Sequence, residues 1–140
     1  RRNTAALLDD MLAPFQWISS IKPQSNCQAV YHAYIFLLDT INCPLPLSQF
    51  ISKANAIGIP FKETWRPLHQ HSHFNPTSPP ARGLPWHDVS TANDDLWVPY
   101  ADQSFPVSDH LIYHSIVQLD IHPGTTADHV EYIKSFLLSF

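Results

Sequence analysis

Glycine is scarce in this sequence: only three of the 140 residues are glycine, whereas thirteen are proline. Because many tight turns need the positive φ angles that glycine adopts readily, few glycine-dependent turns are expected. Prolines instead separate the elements of secondary structure. The sequence therefore predicts elements joined by stiff, proline-containing connections.

Charged residues are also few, at 14% of the chain, compared with about a quarter in an average protein. The net charge is −4 with neutral histidines. Free nucleic acid is therefore not an expected partner, since it is bound through clustered Lys and Arg. Low charge combined with many aromatic residues argues against disorder. It also indicates that another protein chain, or the rest of a longer polypeptide, covers part of the surface.

Long apolar runs are absent as well. The longest, from Ala33 to Ile41, is interrupted by Asp39 and is far shorter than the roughly 20 residues of a membrane helix. We therefore expect a soluble protein with no membrane partner. The chain begins with Arg1 and Arg2 and has no initiator methionine, which we interpret as a fragment or processed product of a larger protein.

The two cysteines, Cys27 and Cys43, are too few for a disulfide scaffold. A helix predicted between them would hold their Cα atoms about 22 Å apart, whereas a disulfide requires about 7 Å or less. We therefore expect free thiols and an intracellular location.

The length of the chain is typical of one domain, so residues 1–140 are expected to form a single globular unit. In the first part, 1–66, helical spacing of apolar residues predicts three helices near 4–21, 25–41 and 47–57. Ser25 and Gln28 form a capping box at the start of the second helix, and Gly58 ends the third. A short fourth helix is predicted to follow Pro60 and to end before Pro67. These elements indicate a bundle of three to four helices.

The second half of the chain is predicted to be mixed. Residues 67–107 form a connection rich in proline, histidine and aromatic residues, with one short strand near 96–100. Residues 108–140 form a strand, a turn and a helix: the strand lies within 111–122, and the helix spans 126–139. The predicted fold class is thus α+β: an N-terminal helical bundle, a proline-rich loop, a small β-sheet and a C-terminal helix.

Histidine is the most unusual feature, because eight of the nine histidines lie at or after position 69. His69, His71 and His73 alternate, and alternate residues of an extended segment point the same way. His114 and His122 share one face of the predicted strand with Asp120. Histidine and carboxylate sets of this kind bind zinc or non-haem iron. One hypothesis is therefore a small metal-dependent enzyme, and the alternative is a polar loop with solvated histidines.

A second hypothesis is a helix-turn-helix DNA-binding module between Phe50 and Leu68, with its turn at Gly58. Lys53, Lys62 and Arg66 supply basic charge to this stretch. Pro67, however, truncates the recognition helix. The alternative interpretation is a helical hairpin in the core.

The aromatic residues of the proline-rich region point to a third function, because Trp and Tyr are favoured at protein interfaces and proline lowers the entropy cost of ordering a loop. The predicted interaction residues are Trp65, Phe74, Trp86, Trp97, Tyr100 and Phe105. The sequence contains no nucleophile elbow and no phosphate-binding glycine loop. The leading prediction is therefore a non-catalytic protein-interaction or assembly domain, with no assured cofactor.

Overall fold

A computed structural model describes residues 1–71 and 103–140 of the chain. The chain divides into two compact units, Arg1–Thr64 together with Tyr113–Phe140, and Trp65–Ile112. The single-domain organisation expected from the length stays a prediction. None of the helices among the described residues is long and apolar enough to cross a membrane.

The described residues form a mixed α+β structure, as the sequence predicts. In chain order the elements are α1 (Arg2–Leu12), β1 (Ile18–Ser20), β2 (Ala33–Leu38), α2 (Leu47–Ala56), β3 (Phe61–Lys62), α3 (Pro106–His110), β4 (Ile116–Asp120) and α4 (Ala127–Leu137). A short 3-10 turn spans Leu68–Gln70, and a π-helical segment, Leu111–Ser115, leads from α3 into β4.

The four strands belong to the first unit and form one antiparallel sheet in the order β1-β2-β4-β3. Strands β2 and β4 lie in the middle, where Phe36 is paired with Val117, and Leu119 lies between Tyr34 and Phe61. The two edge strands have only three and two residues. Short edges of this kind offer few unpaired backbone groups to a second sheet.

The hydrophobic core of the first unit joins the sheet to α1, α2 and α4. Phe50 of α2 is fully buried, and its ring contacts the rings of Trp17, Phe61, Phe136 and Phe140 at centroid distances of 5.4–6.0 Å. Burying one such side chain stabilises a fold by about 1.5–3 kcal/mol. This aromatic cluster therefore holds the two helices that build the sites described below.

Two helices are confirmed: α2 lies within the predicted span 47–57, and α4 within 126–139. Gly58 follows α2 with φ of 84°, a left-handed conformation that glycine adopts without steric cost. The amide groups of Gly58 and Ile59 donate to the carbonyls of Asn55 and Ala54. The predicted helix end is thus also confirmed.

The helix predicted over 25–41 is wrong, because residues 33–38 form strand β2. Tyr34, Phe36 and Leu38 are buried, and the residues between them are half-buried. Pairing with β1 on one side and β4 on the other satisfies the backbone of this segment and overrides its helical pattern. Ser25 and Gln28 lie outside any helix, so their capping box does not form.

The predicted N-terminal bundle of three to four helices is also not what residues 1–66 form. Helix α1 ends at Leu12, close to Pro14, and β1 occupies part of the span predicted to be helical. The short helix predicted after Pro60 is instead β3, in which Phe61 pairs with Leu119 and is buried. In the first part of the chain two helices and three strands therefore follow in the order α1, β1, β2, α2 and β3.

The strand predicted within 111–122 is confirmed only over its second half, as β4. Val117, Leu119 and Ile121 are buried, as the predicted alternation requires, but Gln118 on the other face is buried too. Residues 111–115 are helical, which makes the strand shorter than predicted. The partners of β4 are β2 and β3, and the partner proposed near 96–100 lies outside the described residues.

Candidate functional site

His69 and His71, two of the predicted metal ligands, belong to the second unit. His69 lies in a 3-10 turn, so the extended geometry that would align it with His71 does not hold there. The Nε2 atom of His69 lies 3.4 Å from a carboxylate oxygen of Asp109. His73 lies outside the described residues. The structure thus gives His69 a carboxylate partner within its own unit, which the sequence did not indicate.

The remaining predicted ligands belong to the first unit and lie on different kinds of structure. His114 is in the helical segment before β4, Asp120 is the last residue of β4, and His122 follows it in a turn. The shared strand face predicted for them is therefore wrong for His114. Among residues 1–71 and 103–140, no group of three or more His, Cys, Asp or Glu side chains could hold a metal ion.

Asp120 is engaged by its neighbours. Lys62 donates to one of its carboxylate oxygens at 2.5 Å, and the amide of Gln118 donates to the other at 3.0 Å. These hydrogen bonds, the one from Lys62 above all, lower the pKa of Asp120 below its usual range. The carboxylate is therefore ionised at neutral pH, and its charge is compensated.

The predicted aromatic interaction residues are only partly described. Trp65 is 62% exposed, and the ring of Phe105 packs against that of His69 at 4.7 Å. Phe74, Trp86, Trp97 and Tyr100 lie outside the described residues. Whether these six aromatic residues form one surface therefore stays a prediction.

The helix-turn-helix geometry is not present. Helix α2 and the turn at Gly58 are followed by strand β3, and the described residues up to His71 contain only a three-residue helical turn beyond it. A recognition helix needs several turns to present side chains to a groove. The basic residue Lys62 lies on that strand and pairs with Asp120.

Both cysteines are free thiols in the structure, as expected. The helix expected to hold the two cysteines apart is absent, since the segment between them contains strand β2 and no helix. Cys27 is exposed, whereas Cys43 is partly buried, and burial raises the pKa of its thiol. The Cys43 thiol therefore lacks the lowered pKa of a reactive cysteine.

A groove between α2 and α4, in the first unit, is the first candidate site that sequence reasoning missed. It encloses about 460 Å³ and is lined by Lys53, Ala56, Ile57, Tyr132, Ser135, Phe136 and Ser139. We call it the α2–α4 groove. Ile57 and Tyr132 are 45% and 51% exposed, although both are large apolar side chains.

The two helices are tied together at this groove. The hydroxyl of Tyr132 donates to the carbonyl oxygen of Ile57 at 2.7 Å. Carbonyl groups at the end of a helix lack partners within the helix, so this bond satisfies one of them. The ammonium group of Lys53, which also lines the groove, lies 5.3 Å from the ring centroid of Phe140, a cation–π distance.

A second cavity lies where β4 ends and α4 begins. It encloses about 390 Å³ and is lined by Gly58, Ile59, Pro60, Leu119, Asp120, His122, Gly124, Thr125, His129, Tyr132 and Ile133. We call it the β4–α4 cavity. Asp120 and His122, two of the predicted metal ligands, thus share its wall with His129, which the sequence analysis did not single out.

The polar wall of this cavity is organised by the start of α4. Thr126 precedes the helix, and its backbone N–H donates to Nδ1 of His129 at 3.0 Å, as part of a capping box. The backbone N–H of His122 donates to the hydroxyl oxygen of Thr125 at 3.1 Å. The sequence lacked the usual signal for this capping box, since the third helical position after Thr126 is His129 and not Glu or Gln.

Tyr132 could have drawn attention in the sequence, because it falls outside the apolar stripe of α4 formed by Val130, Ile133, Phe136 and Leu137. A large aromatic residue away from the core-facing stripe indicates a surface contact. Its neighbour Ile57 directly follows α2, however, and no local pattern joins the two.

Comparisons with known proteins add no function to this geometry. The chain matches none of the models of known protein families, and a search of curated proteins finds no significant match.

Proposed function

We propose that this chain is a non-catalytic protein-interaction domain, and that the α2–α4 groove holds an apolar side chain of a partner protein. The observation that carries the proposal is the exposure of Ile57 and Tyr132 on either side of a preformed groove. Single exposed apolar residues are ordinary, but Ile57 and Tyr132 line the same groove and present their apolar surfaces together.

The groove has the properties of an interface anchor. Tyrosine is enriched among residues that dominate binding energies, because it offers a large surface with few rotatable bonds. The hydrogen bond from Tyr132 to Ile57 holds the ring in place before a partner arrives. Preorganisation of this kind lowers the entropy cost of association.

The charge beside the groove defines the partner further. Lys53 is the one charged residue among those lining it, and no carboxylate of the described residues forms an ion pair with its ammonium group. A carboxylate next to the apolar anchor would complement this charge. The occupant is therefore a segment of another protein in which an apolar side chain lies beside Asp or Glu.

A peptide-display selection against the whole chain tests the proposal. We expect the selected peptides to share an apolar residue with an acidic neighbour. Ile57→Glu should abolish their binding, since it places a carboxylate in the groove beside Lys53, and Lys53→Glu should shift the selected neighbour from acidic to basic. Val30→Glu is the matched control, because Val30 is equally apolar, highly exposed and does not line the groove.

Two outcomes contradict the proposal. If Ile57→Glu and Val30→Glu bind the selected peptides equally well, the groove is not the binding surface. If the selected peptides show no acidic preference, or Lys53→Glu does not change it, the assignment of an acidic partner is wrong.

A further inference from the structure

We propose that the β4–α4 cavity is a binding site for a small apolar monocarboxylate. The site is separate from the α2–α4 groove, although Tyr132 lies in the wall of both. The inference does not rest on the proposed protein interaction.

The size and the walls of the cavity suit a small molecule. Its volume of about 390 Å³ falls within the usual range of ligand sites, about 300–1,000 Å³. Ile59, Leu119 and Ile133 form an apolar part of the wall and are almost fully buried. These side chains leave only 2–5% of their surface accessible, so an aliphatic or other apolar body would contact a small apolar area without losing hydrogen bonds.

Two glycines belong to the lining of the cavity. A Cβ atom at Gly58 or at Gly124 would have no heavy atom within 4 Å. Gly58 needs its positive φ, but Gly124 does not lie in the left-handed region, so a side chain there is sterically and conformationally tolerated. Gly124 lines the cavity, and a larger side chain can be introduced there without strain in the backbone.

The polar wall offers hydrogen-bond donors. Because Nδ1 of His129 accepts the backbone N–H of Thr126, the neutral ring carries its proton on Nε2 and can offer only that N–H to a ligand. The oxygen of Thr125 accepts the backbone N–H of His122, which leaves the hydroxyl hydrogen to donate. The ring of His122 adds a further N–H. A ligand group with acceptor oxygens fits these donors.

The charges around the cavity disfavour a multiply charged ligand. Asp120 is the one carboxylate in the lining, and Lys62 compensates it at 2.5 Å. None of the lining residues, all of which are described, is Lys or Arg. A doubly charged phosphate would lack the cationic partners that such groups usually have, whereas a monocarboxylate can be held by neutral donors.

The whole chain is titrated with octanoate and, separately, with 1-octanol, which has the same chain length but no charge. Binding is measured from the changes in amide chemical shifts in NMR spectra. We expect octanoate to bind at least about tenfold more tightly than octanol, with the largest shifts at the lining residues of β4 and α4. Octanol binding as tightly as octanoate, or no binding of octanoate, would overturn the proposal.

Two variants locate the ligand. His129→Glu keeps the capping box, since Glu is a preferred third residue after Thr, but replaces an N–H donor with a carboxylate. This variant should weaken the binding of octanoate at least about tenfold and leave the binding of octanol unchanged. Ile41→Glu adds the same charge at an exposed position outside the cavity, and it should change the affinity for neither ligand.

Gly124→Phe should weaken the binding of both ligands, because the added ring should fill part of the cavity. Unchanged octanoate binding in His129→Glu would show that the carboxylate is not at the polar wall, and unchanged binding in Gly124→Phe would show that the ligand is elsewhere. Either result overturns the assignment. Peptide binding at the α2–α4 groove is measured separately through Ile57→Glu, so the two proposals can fail independently.

Discussion

Because of Tyr34, the free energy of unfolding of the first unit should decrease as the pH rises into the alkaline range. Its side chain is 1% exposed, in the interior strand β2, and its hydroxyl donates to a carboxylate oxygen of Asp9 in α1 at 2.6 Å. Burial, followed by the hydrogen bond and the negative charge of Asp9, raises the pKa of Tyr34 well above its ordinary value of 10.0. At pH values at which the unfolded chain would lose the proton of Tyr34, the folded protein thus retains it.

The magnitude of this effect follows from linkage. A raised folded-state pKa contributes stability that is fully present below the unfolded pKa and is lost as the pH rises beyond it. Above pH 10 the free energy of unfolding should fall by up to about 1.4 kcal/mol per pH unit, because the unfolded chain releases a proton that the folded chain retains. At pH 11 the loss attributable to Tyr34 should be about 1.4 kcal/mol.

Urea unfolding of the wild type and of Tyr34→Phe at pH 8 to 11 measures this loss directly. At pH 8 the variant should be less stable by about 1.5–3 kcal/mol, the usual contribution of a hydrogen bond to a charged group. The difference should shrink above pH 10, since phenylalanine has no proton to release. Asp9→Asn should keep most of the alkaline loss, because burial is the larger cause. A difference that stays constant from pH 8 to pH 11 would refute the reasoning.

Three other predictions concern the core, the thiols and the metal hypothesis. Phe50→Ala should lower the free energy of unfolding by about 3–5 kcal/mol, since the ring is fully buried; a loss below about 1 kcal/mol in urea unfolding would contradict the described core. Both cysteines should react with a maleimide in the native protein, Cys27 faster than Cys43, because Cys43 is partly buried and its thiol pKa is raised; equal rates by mass spectrometry would contradict this. The metal hypothesis predicts stoichiometric zinc or iron and a melting temperature that chelator lowers, with both lost in the double variant of His71→Ala and His73→Ala; identical melting with and without chelator would exclude it.

The sequence was sufficient to predict those helices that have both a regular spacing of apolar residues and recognisable residues at one end. Helix α2 has its apolar stripe and ends at Gly58, and α4 has its stripe and begins after Thr126. Both signals are local, because the stripe and the capping residues act within one helix. These are also the two helices that carry the proposed groove.

The failure at β2 has a physical cause that no local pattern could reveal. The segment Ala33–Leu38 is almost continuously apolar, so it fits a buried strand as well as a helical stripe. Its structure is decided by partners far away in the chain: β4 pairs with it, and the hydroxyl of Ser115 donates to the carbonyl of Leu38 across 77 positions. The interior position of the strand is a property of the whole sheet.

The candidate sites were unpredictable for the same reason. The lining of the β4–α4 cavity comes from the turn after α2, the end of β4 and the first turns of α4. The end of β4 and the start of α4 are close in the sequence, whereas the turn after α2 is far from both. The predicted metal site assumed one long strand from 111 to 122. Because residues 111–115 are helical, the spacing on which His114 and His122 were placed on one face does not apply.

Amide hydrogen exchange separates the two interpretations of residues 25–41. If the segment were a helix starting at Ser25, amides from about position 29 onward would be protected together. In the observed sheet, β2 lies between β1 and β4, so its amides should be among the slowest to exchange, close to the limit of global unfolding. Residues 28–32 precede the strand and have no element of their own, and their amides should exchange rapidly. Protection that begins near position 29 and continues evenly to 41 would refute the strand and, with it, the sheet on which the cavity rests.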